Sequence, residues 1–234
     1  ALVDYMSVSA MPAFSERAKK AGIEPIVGCT LQIVDAPTAK LKDKDNGGYR
    51  LKVYVKNDAG LRSLFGVLSK SLTADHYYYH ARLGLQDVLG MDGVVVTTGD
   101  LHSMWHHPKA REIHDQLLAK FGPDYYVEIT AIDTPLFDRI NQLAVETALF
   151  SSLPSSQLII TRPAMDLTPD DADSPDVLRA ITSNTSVYSK WLAKPWVRDL
   201  SLLGPKDLAG HVSRAAAIAK ISPGLCLRNI EAMF

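Results

Sequence analysis

The chain has 234 residues, of which 47% are hydrophobic and 22% charged, and its 25 basic and 26 acidic side chains leave a formal charge of -1. A chain of this composition can bury a real core and need not be disordered, and its length suits one large domain, or a domain with a small appendage. A near-zero sum does not demand a nucleic-acid partner, although it hides local patches.

The chain opens as a strand under way over residues 1–4, without an initiating Met. That fits a fragment, or a first strand with no earlier partner in sequence. SAMPAFSERAKKAG then reads as an amphipathic helix, with Met11, Phe14, Ala18 and Ala21 on one stripe and Gly22 as its stop. A strand is expected over 25–34. The polar, glycine-bearing stretch 35–48 reads as an exposed hairpin loop, whose Lys40, Lys42 and Lys44 suit either solvent or contact with DNA. A strand over 48–56 leads into NDAGLRSLFGVLSKS. Asn57 or Asp58 can cap that helix, and Leu61, Leu64, Phe65 and Leu68 are expected to face inward. DHYYYH at 75–80 offers a stacking platform for bases, or a packing group at a core edge or partner surface. A strand at 93–98 is followed by a helix over 106–121, patterned by Ile113, Leu117 and Leu118 and ended by Gly122-Pro123. Within that helix QLLAKF has some look of a clamp-binding peptide, but its regular amphipathic setting suits packing.

A strand at 125–130 precedes the most regular helix, 134–150, with Pro135 in its first turn and Leu136, Ile140, Leu143, Ala144 and Thr147 along it. The last strand is expected at 157–161. In the loop beyond, Asp170, Asp171 and Asp173 suit caps and surface charges. From Ser174 the pattern turns helical, with Trp191 and Trp196 as candidate partner contacts. The chain therefore divides into an α/β unit at 1–173 and a helical extension at 174–234. Alternating strands and helices imply parallel strands with crossover connections, in an open sheet or a barrel.

Cys29 and Cys226 are distant and outside any CxxC, which suits free thiols in a reducing, cytoplasmic setting. No apolar run reaches membrane-spanning length and no signal peptide opens the chain, so no membrane partner is expected. There is no GxGxxG, Walker sequence, GxSxG or HExxH. Three of the seven histidines fall in LHSMWHHP, just after the strand at 93–98, where α/β folds place sites. Asp100 and His102, joined by His106, could reach one metal, or be plain loop residues. Asp4 ends a strand, where a ligand or a cap would sit. Glu128 lies inside a strand, so it must be paired or face a barrel mouth; a bridge to an arginine such as Arg162 would satisfy it.

Several segments taken together resemble one family. ALVDYMSVSAMPAFSERAKKAGIEPIVGCTLQIV, LKVYVKNDAGLRSLFGVLSKS, FGPDYYVEI and LIITRPAMDLTPDDADSPDVLRAI follow, in order and spacing, stretches of bacterial DNA polymerase III α subunits. The module is similar to the polymerase and histidinol phosphatase (PHP) domain. The resemblance implies a distorted, TIM-like β/α barrel that can bind metal ions near its strand ends. It further implies that this chain lacks the usual first strand with its histidine pair, and carries a helical C-terminal tail.

Carried over by residue, Asp4 matches the aspartate of the family's TDH motif, and Tyr5 stands where its histidine would be. Thr30 replaces the glutamate of GCE, and Thr161 matches the threonine of TND. Arg162 and Pro163 follow in place of asparagine and aspartate, and Met165 replaces the next histidine. A phenol is a ligand only when deprotonated, a threonine brings no charge, a proline brings no donor, and a thioether prefers soft ions. The metal centre therefore looks dismantled, with Asp4, Asp100, His102 and Glu128 as vestigial candidates. No cofactor is expected; a divalent zinc, manganese or magnesium ion is the alternative. The implied role is a non-catalytic structural or interaction domain of a bacterial or phage replicative polymerase, partnered by the rest of that enzyme, by replisome proteins or by DNA. A reduced-site phosphoesterase or 3′–5′ exonuclease is the competing reading, and an interaction protein that has lost its parent polymerase function is a third.

Overall fold

A computed structural model describes residues 1–132, 134–164 and 205–219, together with Val177, Ala180, Ile181 and Asn184. Six strands build the main sheet: β1 (Leu2–Tyr5), β2 (Val27–Ile33), β3 (Tyr49–Val55), and then β6 (Val94–Thr97), β7 (Tyr125–Thr130) and β8 (Leu158–Thr161). Two short strands, β4 (Tyr77–Tyr78) and β5 (His80–Ala81), form a separate hairpin. The helices are α1 (Met11–Lys20), α2 (Asp58–Ser71), α3 (Leu85–Leu89), α4 (Ala110–Phe121), α5 (Pro135–Phe150) and α6 (Pro205–Ala219).

The sheet order is β1-β2-β3-β6-β7-β8. It is a curled, open half-barrel with flanking helices, in keeping with a distorted PHP-type barrel. It is not all-parallel as the strand-helix alternation implied. β3 runs antiparallel to both β2 and β6, whereas β1–β2, β6–β7 and β7–β8 are parallel. The reversal follows from the 34–48 connection, which has no crossover helix and so forms a hairpin.

The two faces of the sheet divide the core by the period of 2. Leu31, Leu51, Val53, Val96, Val127, Ile129 and Ile160 are buried in the main cluster, with Leu64, Ile113, Leu117, Phe137 and Ala144 of the helices. The other face carries a second cluster of Tyr54, Val95, Tyr126 and Ile159, with Val3 and Ile26 against it. This lines the inside of the half-barrel.

Local chemistry fixes the helix ends. Asn57 caps α2 by accepting the Gly60 N–H at 3.1 Å, and Thr134 caps α5 by accepting the Phe137 N–H. Phe65, expected to point inward, is exposed, whereas Gly60, Leu64, Leu68 and Ser71 are buried. Gly60 sets that line. A Cβ there would lie 1.9 Å from the Gly93 carbonyl oxygen, so α2 presses its glycine onto the chain and turns Phe65 away. The connections of α5 and α6 include an Arg214–Asp138 ion pair at 2.7 Å, and Ala215 and Ala216 are buried. The 173/174 boundary, Met165, Asp170, Asp171, Asp173, Trp191, Trp196 and Cys226 lie outside the described residues. Among the described residues no helix is long and apolar enough to cross a membrane.

Candidate functional site

A polar layer sits above the inner apolar cluster. Register alone builds most of it: Tyr5 pairs with Thr30, Thr30 with Lys52, and Lys52 with Thr97. Registered neighbours share a face, so these four side chains form one row across the half-barrel. β7 adds Glu128 and β8 adds Thr161 to the same layer.

Lys52 is the centre of this layer. Its Nζ lies 2.7 Å from an Asp100 carboxylate oxygen and 3.0 Å from Glu128 Oε2. Glu128, whose side chain is fully buried, also accepts from the Thr161 hydroxyl at 2.7 Å and from the Thr97 hydroxyl. Its backbone N–H donates to Thr98 Oγ1 at 3.0 Å. Asp100 accepts the Leu101 N–H at 2.6 Å. Gly99, at φ +77°, delivers Asp100 to this point; a Cβ on it would meet the Arg50 carbonyl oxygen at 2.5 Å.

The electrostatics follow from that geometry. Burial alone would lower the Lys52 pKa, but the charges of Glu128 and Asp100 outweigh it and hold the ammonium above the ordinary lysine value. Burial would raise Asp100, and Lys52 with the Leu101 N–H holds it below the ordinary carboxylate value. One ammonium thus serves two carboxylates, with hydroxyls filling the remaining lone pairs.

Toward the mouth, Arg50 lies over the Tyr5 ring at 4.3 Å and donates from Nε to Gln32 Oε1 at 3.2 Å. The Tyr5 hydroxyl donates to the same Gln32 oxygen at 3.1 Å. Burial pushes the Tyr5 pKa up, Arg50 opposes it, and nearby Asp43 adds to it, so the phenol stays protonated. Thr30 donates from Oγ1 toward the Val3 carbonyl at 3.4 Å.

The structure brings Asp100 and Glu128 together and leaves the other two carboxylate and imidazole candidates apart. Asp4 pairs in register with Cys29, whose side chain belongs to the main core, so Asp4 faces away from Lys52. His102 is exposed, and its carbonyl accepts the Arg50 N–H at 2.7 Å. His106 is exposed in a 3-10 turn, whereas buried Met104 and Trp105 anchor that loop. Arg162 and Pro163 are half-buried just after β8. The cation that pairs with Glu128 comes from β3, in the place that the sequence reading gave to an arginine such as Arg162. Among the described residues no group of three or more His, Cys, Asp and Glu side chains could hold a metal ion. Lys52, Arg50 and Thr97 were not singled out from sequence. The available signal was a lone charge in each of two apolar strands, Lys52 in YRLKVYV and Glu128 in YYVEIT.

DNA polymerase III subunit alpha of Borreliella burgdorferi is 26% identical over 193 residues, covering 77% of this chain and 16% of that protein. The chain thus spans well under a fifth of that relative's length. The sequence profile described as the PHP domain matches residues 1–131, more than half of the chain, which belongs to the PHP domain family.

Proposed function

We propose that this chain is a PHP domain whose metal centre has been replaced by an internal ion pair, serving as a non-catalytic structural and interaction part of a replicative DNA polymerase. The observation that carries the reading is the Lys52 ammonium lying 2.7 Å from Asp100 and 3.0 Å from Glu128. A divalent ion using these carboxylates would have to displace a buried cation already neutralised by both. The neighbouring donors add little: a protonated phenol at Tyr5, a neutral hydroxyl at Thr30 and no side-chain donor at Pro163. The residues therefore do not fit the family's metal cluster, and no hydrolytic step is derived through one. Likeness to a polymerase α subunit supports the replicative setting, and the ion pair supports a role in holding the half-barrel together.

The test is elemental analysis of the purified chain together with a co-purification assay against the remaining polymerase polypeptide. The expected result is no stoichiometric zinc or manganese and stable association with the polymerase. Tightly held metal at one or more equivalents, with metal-dependent phosphoester hydrolysis, would overturn the reading.

A further inference from the structure

Two segments that are distant in sequence meet on one surface beside the mouth of the half-barrel. One is the 34–48 loop with its lysines; the other is the β4–β5 hairpin with its tyrosines. Lys40 Nζ donates to the Ala74 carbonyl at 2.7 Å and to the Tyr77 carbonyl at 3.3 Å. Asp43 and His80 meet at 2.6 Å. From beneath, fully buried Arg82 donates to the carbonyls of Pro37, Ala39 and Leu41 and lies 5.2 Å from the Tyr78 ring centre. The loop is thereby held against the hairpin.

The surface so formed is a shallow cavity of about 360 Å³ lined by Lys42, Asp43, Lys44, Tyr78, Tyr79 and His80. Lys42 and Lys44 are exposed. Tyr79 is 70% exposed and Tyr77 48% exposed. Tyr78 and Tyr79 pack edge to face at 4.7 Å, which fixes the direction of the outer ring. Tyr79 also holds φ +63°, the left-handed region that a tyrosine adopts at a cost. That φ closes the one-residue link between β4 and β5 and leaves the ring in solvent, where a flat partner can cover it. Among the acids of the loop and the hairpin's approach, Asp43 is turned to His80 and lies 4.0 Å from Arg82, and Asp35 lies 3.4 Å from His107; Asp45 and Asp75 are the others.

We propose that this surface binds single-stranded nucleic acid, with Tyr79 stacking on a base and Lys42 and Lys44 meeting the adjoining phosphates. An exposed, fixed aromatic beside lysines is the arrangement that recognises an unpaired, polyanionic strand without reading its sequence. A duplex keeps its bases stacked and offers Tyr79 no free face. The proposal is independent of whether the Lys52 site holds a metal.

The test is fluorescence anisotropy of a labelled oligothymidylate with the whole chain, titrated at several salt concentrations. Tyr79→Gly is the central variant, because glycine accepts the positive φ and removes the ring without disturbing the fold. It should weaken binding about tenfold or more while the melting temperature stays level or rises. Tyr79→Phe should bind as the parent does. The double variant Lys42→Ala, Lys44→Ala should flatten the slope of log affinity against log salt by about 1.4. Absence of oligothymidylate binding, as expected of a surface that serves a protein partner, would overturn the proposal. So would equal affinity for a duplex of the same length, or binding unchanged in Tyr79→Gly.

Discussion

Lys52 sits in a run of apolar residues, and its two carboxylate partners come from segments 48 and 76 positions further along the chain. Removing the ammonium leaves two buried carboxylates facing one another. Lys52→Met should therefore cost about 3–5 kcal/mol in urea denaturation at neutral pH. Adding Asp100→Asn and Glu128→Gln to that variant should restore most of the loss, because the orphaned charges go with it. The pH dependence has two ends. Lys52, raised in the folded state, contributes stability that is complete below its unfolded pKa of about 10.4 and is lost as pH rises through the folded value. Asp100, depressed, contributes stability present above about pH 3.9 and lost as pH falls through its folded value. The parent should thus show a plateau with respect to these groups between those limits. In Lys52→Met alone, stability should instead increase on moderate acidification as the carboxylates take up protons. A sequence shows the two isolated charges in their strands, but their meeting depends on which strand lies beside which. The reversal of β3 decides that.

At the scale of elements, His114 ties three of them together. Ser151 Oγ is within 3.1 Å of the Thr147 and Ala148 carbonyls, which take its one proton. His114 Nε2 therefore donates to Ser151 Oγ at 2.8 Å, and Nδ1 accepts from the Tyr125 hydroxyl at 2.9 Å. This neutral tautomer joins α4, β7 and the end of α5. Burial lowers the His114 pKa, with Asp115 opposing. A histidine lowered in the folded state contributes stability that is complete above its unfolded pKa of about 6.5 and declines as pH falls below it. His114→Gln should flatten that decline in thermal melts taken across the range. Tyr125→Phe should cost about 1–3 kcal/mol, because it leaves Nδ1 buried without a donor. Arg82 plays a comparable part for the 34–48 loop: Arg82→Lys should speed tryptic cleavage at the loop lysines, read by mass spectrometry, since an ammonium cannot reach the same spread of carbonyls. The six main strands were legible from their β-branched runs. The β4–β5 hairpin and α3 were not, because two-residue strands and a five-residue helix are too short for any period to register.

For the whole molecule, the half-barrel has an apolar inner layer capped by a polar one, and the polar layer is closed by protein charges. Dialysis against a strong chelator should leave the melting temperature unchanged within about a degree, whereas a domain stabilised by bound metal would lose several. Differential scanning calorimetry before and after dialysis reads this directly. The family was legible because its segments keep their order and spacing along the chain. The antiparallel pairing of β2 with β3 was legible in the hairpin loop read over 35–48; that of β3 with β6 was not, because a helix between two strands suits a parallel crossover.

The reversal of β3 has a consequence for how this domain can change. Because β2 and β3 are joined by a hairpin, the 34–48 loop leaves and re-enters the sheet at the same end. Its length can vary without altering the pairing of either strand, as the ladder is set by residues on both sides of it. The rim of the mouth is thus a tolerant place for insertions, whereas the layer beneath it admits only coordinated substitutions. Divergence among relatives that keep this reversal should accumulate at the rim as changes in length and at Lys52, Asp100 and Glu128 as changes in concert.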